Sequence, residues 1–202
     1  MKNINRDFIV GIASEFKWHN EPKKHSFNNG LVIKTEPYTD FWQRTHYGFR
    51  RDNGHCYLAK KIGDFSIMAH FIFTYKTQYD QCGIILRIDE NNWVKASMEY
   101  ENENISRLGS VVTNHGYSDW ATTDISSAVK SMWYKLNKNG RDILIENSND
   151  GVNWKQMRIL HLRNNSEKVK IGIYACSPQN STFECKVTKI IMSKNTWEYK
   201  EE

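Results

Sequence analysis

The segment YDQCGIILRIDENNWVKASME, residues 79–99, has the clearest structural pattern in the chain. It contains two runs that alternate apolar and polar residues with a period of two, which is typical of β-strands. One face is apolar and contains Cys82, Ile84, Leu86, Ile88, Val94, Ala96 and Met98. The other is mostly polar and contains Gln81, Gly83, Arg87, Trp93, Lys95, Ser97 and Glu99. The sequence therefore predicts a β-hairpin that packs one face on a core and offers the other to a polar ligand.

The two faces also fix the register of this hairpin. Core residues of one strand must pair with core residues of the other, so the loop between them holds an odd number of residues. A three-residue loop places Arg87 opposite Trp93, in a cation–π contact, and Gln81 opposite Glu99. A five-residue loop would place Arg87 opposite Lys95, and like charges directly opposite each other are unfavourable. We therefore predict the three-residue loop.

Runs of the same kind recur along the chain, separated by turn signals such as Asn29-Gly30 and Asp150-Gly151. Many short strands with frequent turns indicate a sandwich or a barrel. The most apolar strand, 64–75, is expected at the centre of a sheet with both faces covered, and residues 123–132 are predicted to form a short helix. Strands are predicted at residues 31–35, 64–75, 82–88, 93–100, 108–113, 133–137, 142–147, 154–162, 169–176 and 183–192.

Composition is that of an ordinary soluble domain. The chain has 202 residues, of which 39% are hydrophobic and 25% charged, so we expect one domain over residues 1–202. No apolar run is long enough to cross a membrane, and the N-terminus makes a poor signal peptide, so we expect a cytoplasmic protein without membrane contact. The net charge of +5 comes from scattered Lys and Arg rather than a basic stripe, which argues against a nucleic-acid partner.

Residue types that hold metals or cofactors are dispersed. The seven histidines form no HxH or HExxH pattern, and no two cysteines have metal-finger spacing. There is no Gly-rich phosphate loop and no nucleophile elbow, so we expect no metal and no cofactor. The cysteines are expected to be buried free thiols, with a Cys176–Cys185 disulfide as the less favoured alternative.

Tryptophans next to acids suggest a saccharide site. TDFW, residues 39–42, and SDW, residues 118–120, each couple a carboxylate to an aromatic ring. Sugars need both, because they have apolar faces and hydroxyl rims. Alternatively, each tryptophan fills a core edge and each acid caps a turn. With the polar face of the hairpin, the predicted ligand-binding residues are Asp40, Trp42, Asp80, Gln81, Arg87, Trp93, Lys95, Glu99, Asp119 and Trp120.

Glu99 is the best single candidate for proton chemistry. Lys95 lies on the same strand face, and a nearby cation would keep the carboxylate ionised, which suits a base better than an acid. Glycosidases usually need two carboxyl groups about 5–10 Å apart. The second would come from Asp40, Asp80 or Asp119. A structural salt bridge is an equally simple role for Glu99.

Five segments together resemble a known family: TDFW (39–42), YDQCG (79–83), WVKASME (93–99), VVT followed by SDW (111–120), and SNDGVNW (148–154). Over roughly residues 16–192 the chain is similar to the family of domains of unknown function that includes bacterial YesU and the fungal regulation-of-enolase protein. The resemblance implies an all-β fold, a concanavalin A-like jelly-roll β-sandwich of two curved antiparallel sheets. Its superfamily includes lectins and glucanases that bind sugars on the concave sheet. The family supplies no catalytic residues, and the glucanase pattern E-x-D-x-x-E is absent here.

Three functions stay open at this point. The first is binding of a small saccharide on the concave sheet, where Arg87 and Lys95 would favour a uronate. The second is a sugar-active hydrolase, lyase or isomerase that uses Glu99. The third is a regulatory interaction module, in which the tryptophans form an exposed flat patch. The sequence does not define the oligomeric state.

Overall fold

Two large stacked sheets and one small hairpin make up the computed structural model, which describes residues 8–11 and 15–197. The all-β prediction is confirmed. The strands are β1 (Ile9–Gly11), β2 (Phe16–His19), β3 (Lys24–Phe27), β4 (Leu31–Lys34), β5 (Phe41–Gln43), β6 (Arg50–Asp52), β7 (His55–Ile62), β8 (Phe65–Thr74), β9 (Gln81–Asp89), β10 (Asn92–Tyr100), β11 (Ile105–Asn114), β12 (Tyr117–Ser126), β13 (Ser131–Asn139), β14 (Asp142–Ser148), β15 (Lys155–His161), β16 (Lys168–Cys176) and β17 (Glu184–Ser193).

The larger sheet has the order β15-β14-β13-β8-β17-β4-β3, with β1 added in parallel alongside β17. The other sheet has the order β12-β11-β10-β9-β16-β7-β2, and β5 pairs with β6 apart from both. The other pairings between strands are antiparallel, and a main hydrophobic core lies between the two sheets. No helix in the described residues is long and apolar enough to cross a membrane.

The hairpin of residues 79–99 has the predicted register but a different turn. Trp93 pairs with Arg87 and Glu99 with Gln81, and the apolar face lies in the main core. The three-residue loop is wrong, because Asp89 pairs with Asn92 across a two-residue turn followed by a bulge. The Asp89 carboxylate accepts the side-chain amide of Asn92 at 2.9 Å, which stabilises the tighter turn.

Two expectations about other elements are wrong. Residues 123–132 form no helix, since β12 pairs with β11 along its whole length and Asp124 forms an ion pair with Arg107 across the strands. The strand of residues 64–75 is central, as β8, but its outer face is only partly covered: Ser66 is buried, whereas Ile72 is 44% exposed. Sequence periodicity showed two apolar faces there, but a few apolar residues on the second face did not mean that a further layer covers it.

The four cysteines are buried and free, so the alternative of a Cys176–Cys185 disulfide is wrong. Cys185 lies in the main core, between the sheets. Cys176 points the other way, into a second hydrophobic cluster on the outer face of the seven-stranded sheet. The two thiols are therefore on opposite sides of one sheet, and this second cluster leads to the candidate site.

Candidate functional site

A lobe formed by residues 36–53, which includes β5 and β6, covers part of the outer face of the seven-stranded sheet. Phe41 of the lobe is fully buried, with its ring centroid 6.0 Å from that of Trp93 and 6.1 Å from that of Tyr174. Where the lobe returns to the sheet, a Cβ on Gly54 would lie 2.3 Å from the Phe41 ring and 2.5 Å from Cys176 Sγ. Only glycine fits there, so the Asn53-Gly54 turn lets Phe41 reach the second cluster.

A buried ion pair fastens the lobe at its second strand. Arg87 lies on β9 and Asp52 on β6, and both guanidinium Nη atoms contact the carboxylate, with Nη2 to Oδ2 at 2.6 Å. The Arg87 side chain is 6% exposed, and its guanidinium lies over the ring of Phe41, 6.0 Å from the centroid. Arg87 therefore holds the lobe. The predicted cation–π contact with Trp93 is replaced by this contact with Phe41.

Asp52→Asn is expected to lower the free energy of unfolding by about 2 kcal/mol, because it leaves Arg87 buried without a counter-charge. Chemical denaturation at pH 7 measures this change. The double variant Arg87→Met/Asp52→Asn should recover most of the loss, since it removes the buried charge as well. A double variant less stable than Asp52→Asn would contradict this account of the pair.

Beside the lobe lies a cleft of about 270 Å³. Its floor is the polar face of β9 and β10. Its walls come from the lobe, from β11 and β12, and from the segments that precede β9 and follow β16. Six of the ten predicted ligand-binding residues line it: Asp40, Trp42, Gln81, Lys95, Glu99 and Trp120. The other lining residues are Tyr38, Tyr47, Phe49, Arg51, Tyr79, Val111, Pro178 and Gln179.

The floor is one hydrogen-bonded network centred on Gln81. Its Oε1 accepts from Lys95 Nζ at 2.8 Å and from the Tyr174 hydroxyl at 3.0 Å. Its Nε2 donates to Glu99 Oε2 at 2.6 Å and to the Tyr79 carbonyl at 3.1 Å. All four hydrogen-bonding positions of this amide are used, so its orientation is fixed. Gln81 therefore links the Lys95 ammonium to the Glu99 carboxyl.

Charge on the floor is arranged differently from the prediction. Lys95 Nζ lies 3.5 Å from Asp40 Oδ1, so the ammonium is paired with Asp40. Burial raises the pKa of Glu99 to about 8; Lys95 opposes the rise, and Asp40 adds to it. The expectation that Lys95 keeps Glu99 ionised is therefore wrong, because desolvation outweighs the attraction of a cation already neutralised by Asp40. Desolvation therefore favours the protonated form of Glu99 at neutral pH.

The walls are aromatic. Tyr47 and Phe49 stack with centroids 5.6 Å apart, and Trp42 meets Tyr47 edge-on at 5.6 Å. On the opposite wall, the indole of Trp120 lies close over Gly109, where a Cβ would be 3.2 Å from Trp120 Nε1. A side chain at position 109 would first clash with the Ala121 carbonyl oxygen, 2.6 Å from that Cβ, so the close pairing of β11 with β12 requires glycine beside Trp120.

Two residues at the rim have strained backbones. Tyr38 has a φ of 60° and Tyr79 a φ of 73°, in the left-handed region that bulky side chains rarely adopt. Such strain costs on the order of 1–3 kcal/mol per residue and concentrates at functional sites. Tyr38 is held by the bond from its N–H to the Gln179 carbonyl, and Tyr79 by the bond from its N–H to the Tyr100 carbonyl. The strain places both tyrosines at the cleft and supports a functional reading of it.

Four of the predicted ligand-binding residues do not line this cleft. Asp80 is buried and caps a turn, accepting the N–H groups of Lys76 and Thr77. Arg87 holds the lobe, and Trp93 is fully buried beneath Phe41. Asp119 is on β12 but points away, to Arg158 on β15 at 2.9 Å. Period-two patterning gives the face of a strand, but not what covers that face.

Sequence reasoning missed most of the aromatic wall. Tyr38, Tyr47, Phe49 and Arg51 all come from the lobe, whose segment YTDFWQRTHYGFRR has no strand-like alternation. The available signal was its aromatic density, with five aromatic residues within residues 38–49. The acid–aromatic pairing in TDFW predicts a site at Asp40 and Trp42, but it does not extend to the neighbouring rings.

A larger opening of about 580 Å³ lies at the open edge of the sandwich, between β12 and β15. The carboxylates of the acidic residues that line this opening already have partners within the protein. Asp150 accepts the N–H groups of Val152 and Asn153 within its own turn, and Asp124 pairs with Arg107. No three His, Cys, Asp or Glu side chains among residues 8–11 and 15–197 are placed to share a metal ion. The smaller cleft is therefore the better candidate.

Two large antiparallel sheets packed around one core form a β-sandwich of the concanavalin A-like fold. A functionally unknown protein from Saccharomyces cerevisiae has a crystal structure with a TM-score of 0.84 and 28% identity, covering 90% of this chain and 97% of that one. The GH43 BlXynB protein from Bacillus licheniformis has a TM-score of 0.68 at 15% identity, over 86% of this chain and 35% of its own. The alginate lyase from Klebsiella pneumoniae has 0.56 at 7% identity, over 88% and 86%. The last two likenesses concern the fold alone.

Sequence comparison gives the family. A family model described as a protein of unknown function, DUF1349, matches residues 18–195. Regulation of enolase protein 1 from Saccharomyces cerevisiae is 34% identical over 168 residues, which are 82% of this chain and 83% of that protein. The chain belongs to the DUF1349 family, and the resemblance inferred from its motifs is confirmed.

Proposed function

We propose that this protein binds carbohydrate in the cleft beside the lobe. The observation that supports this most is where the exposed aromatic rings lie. Nine large hydrophobic side chains are exposed in the described residues, and four of them, Tyr38, Tyr47, Phe49 and Trp120, line this one cleft. Exposed apolar groups clustered over a polar floor are typical of ligand sites. Rings suit the apolar faces of a sugar, and the carboxyl groups of Asp40 and Glu99 suit its hydroxyls.

The cleft limits the size of the ligand. A volume of about 270 Å³ corresponds to about nine waters at roughly 30 Å³ each. This space suits one or two sugar units, or the end of a chain. Its concave shape also favours a small molecule over the flat protein surface that a regulatory interaction module would need.

Removal of either tryptophan side chain that lines the cleft should weaken saccharide binding. Trp42→Ala and Trp120→Ala are each expected to raise the dissociation constant about tenfold, equivalent to about 1.4 kcal/mol of lost ring contact. Titration calorimetry with a panel of neutral and uronic saccharides measures this. Trp154→Ala is the matched control, because that ring lies under Lys135 Nζ, 4.5 Å away, and outside the cleft. Binding of no saccharide by the wild type would remove the proposal.

A sugar-active enzyme is the second candidate, supported by Glu99. A carboxyl with a pKa of about 8 inside a cleft is suited to donate a proton at neutral pH, and Asp40 lies across the same floor. If turnover of any glycoside is found, Glu99→Gln should abolish most of it. Unchanged turnover in that variant would reject Glu99 as the acid.

A cytoplasmic location and the absence of a nucleic-acid partner stay predictions from composition.

A further inference from the structure

The charges that line the cleft do not cancel at neutral pH. Four acidic or basic residues line the cleft: Asp40, Arg51, Lys95 and Glu99. Asp40 and Lys95 neutralise each other at 3.5 Å. Burial raises the pKa of Glu99 to about 8, which favours the uncharged form of its carboxyl at pH 7. One positive charge, that of Arg51, stays without a counter-charge in the cleft.

Arg51 owes its position to the small hairpin of the lobe. It pairs with Trp42 across β5 and β6, so both side chains lie on the hairpin face that borders the cleft. Its guanidinium lies 5.4 Å from the centroid of the Phe49 ring. Within residues 8–11 and 15–197 its side chain forms no ion pair and no hydrogen bond, and the residue is exposed.

The neighbouring Arg50 shows the contrast. Its Nε donates to Gln43 Oε1 at 2.8 Å and its Nη2 to Asn91 Oδ1 at 2.8 Å, on the other face of the hairpin. Arg87 is bound to Asp52. Arg50 and Arg87 are thus used to fasten the lobe, while Arg51 holds five N–H donors in a planar fork with no acceptor.

We infer that Arg51 binds the carboxylate of an acidic sugar at the mouth of the cleft, and that it sets a preference for uronates over neutral sugars. This inference rests on the proposed carbohydrate-binding function. A guanidinium forms two parallel hydrogen bonds with a carboxylate. The contact with Phe49 holds the fork beside the aromatic wall, which reduces the entropy lost when a ligand binds. The sequence suggested that Arg87 and Lys95 favour acidic sugars. Both are paired with carboxylates of the protein, so we assign this role to Arg51 instead.

Matched sugar pairs test this directly. Glucuronate with glucose, and galacturonate with galactose, differ only at the sixth carbon, and calorimetry gives the affinity of each. We expect the wild type to bind one acid at least tenfold more tightly than its neutral partner. Arg51→Gln should remove that tenfold advantage by weakening binding of the acid much more than binding of the neutral sugar. Arg51→Lys should keep part of the advantage of the acid, because lysine has the positive charge but not the planar guanidinium that forms two parallel hydrogen bonds.

Arg50→Gln is the control on the same strand and should leave the ratio of affinities as in the wild type. Equal binding of acid and neutral sugars by the wild type would overturn the inference while carbohydrate binding stands. An equal loss for both sugars in Arg51→Gln would also overturn it, since Arg51 would then act only as part of the wall. If the wild type bound none of the four sugars and no member of the wider panel, both the proposed function and this inference would be rejected.

Discussion

Phe41→Ala is expected to lower the free energy of unfolding by about 3–5 kcal/mol, the usual cost of removing a fully buried phenylalanine ring. The ring fills the space between the lobe and the seven-stranded sheet, against Trp93 and Tyr174. The cavity left behind lies between two elements rather than inside one sheet. The lobe should therefore loosen before the sandwich unfolds.

Thiol reactivity separates local loosening from global unfolding. Cys176 lies beneath the lobe, and burial raises the pKa of its thiol well above the usual range. In Phe41→Ala this thiol should react with an aromatic disulfide reagent under native conditions, whereas Cys185 in the main core should stay protected. Tyr47→Ala, on the exposed side of the lobe, is the control and should change stability by about 0.5 kcal/mol or less. Equal protection of Cys176 in both variants would contradict the role of Phe41 as the plug.

Glu99→Gln is expected to stabilise the protein at pH 8.5 by about 4–5 kcal/mol and to change its stability little at pH 4.5. The pKa of Glu99 is about 8 in the folded protein, against a usual value of 4.5. Between these values the unfolded chain has released the proton and the folded protein has not. The stability of the wild type therefore falls as pH rises from about 4.5 to 8 and then levels off. Glutamine keeps the neutral shape and removes this loss.

Denaturation midpoints of the variant and the wild type across pH 4.5–9 measure this effect. Burial lowers the pKa of His19, His55 and His70, so these groups destabilise the fold on acidification below about 6.5. They affect both proteins alike, and the difference between the two curves isolates Glu99. Glu103→Gln, at an exposed position, should follow the wild type at every pH. Parallel curves for Glu99→Gln and the wild type would contradict a raised pKa.

The hairpin shows how far sequence patterning goes. Alternation and the rule against facing like charges predicted that Arg87 pairs with Trp93 and Gln81 with Glu99, and both pairs are present. The turn differed, because Asp89 closes it through its own side chain. Register is determined by many residues that share a face, whereas the turn depends on one local hydrogen bond.

The candidate site was predictable only in part, for a similar reason. Gln81, Lys95 and Glu99 share a strand face with Arg87 and Trp93, yet only the first three reach the cleft. The lobe covers the other two, and no periodicity in the sequence describes where a non-repetitive segment folds back. Burial also reversed the predicted charge of Glu99, since local sequence shows the nearby cation but not the desolvation.

The lobe joins β4 of one sheet to β7 of the other, so no strand pairing of the sandwich fixes its length. It nevertheless supplies the Phe41 plug and Arg51 as well as most of the aromatic wall. Under the proposed function, the choice of ligand would depend mainly on the lobe and less on the two sheets. The sequence of the lobe could change while the strand pairings of the sheets stay the same. Three residues would have to be retained: Phe41, which packs on the sheet, Asp52, which pairs with Arg87, and Gly54.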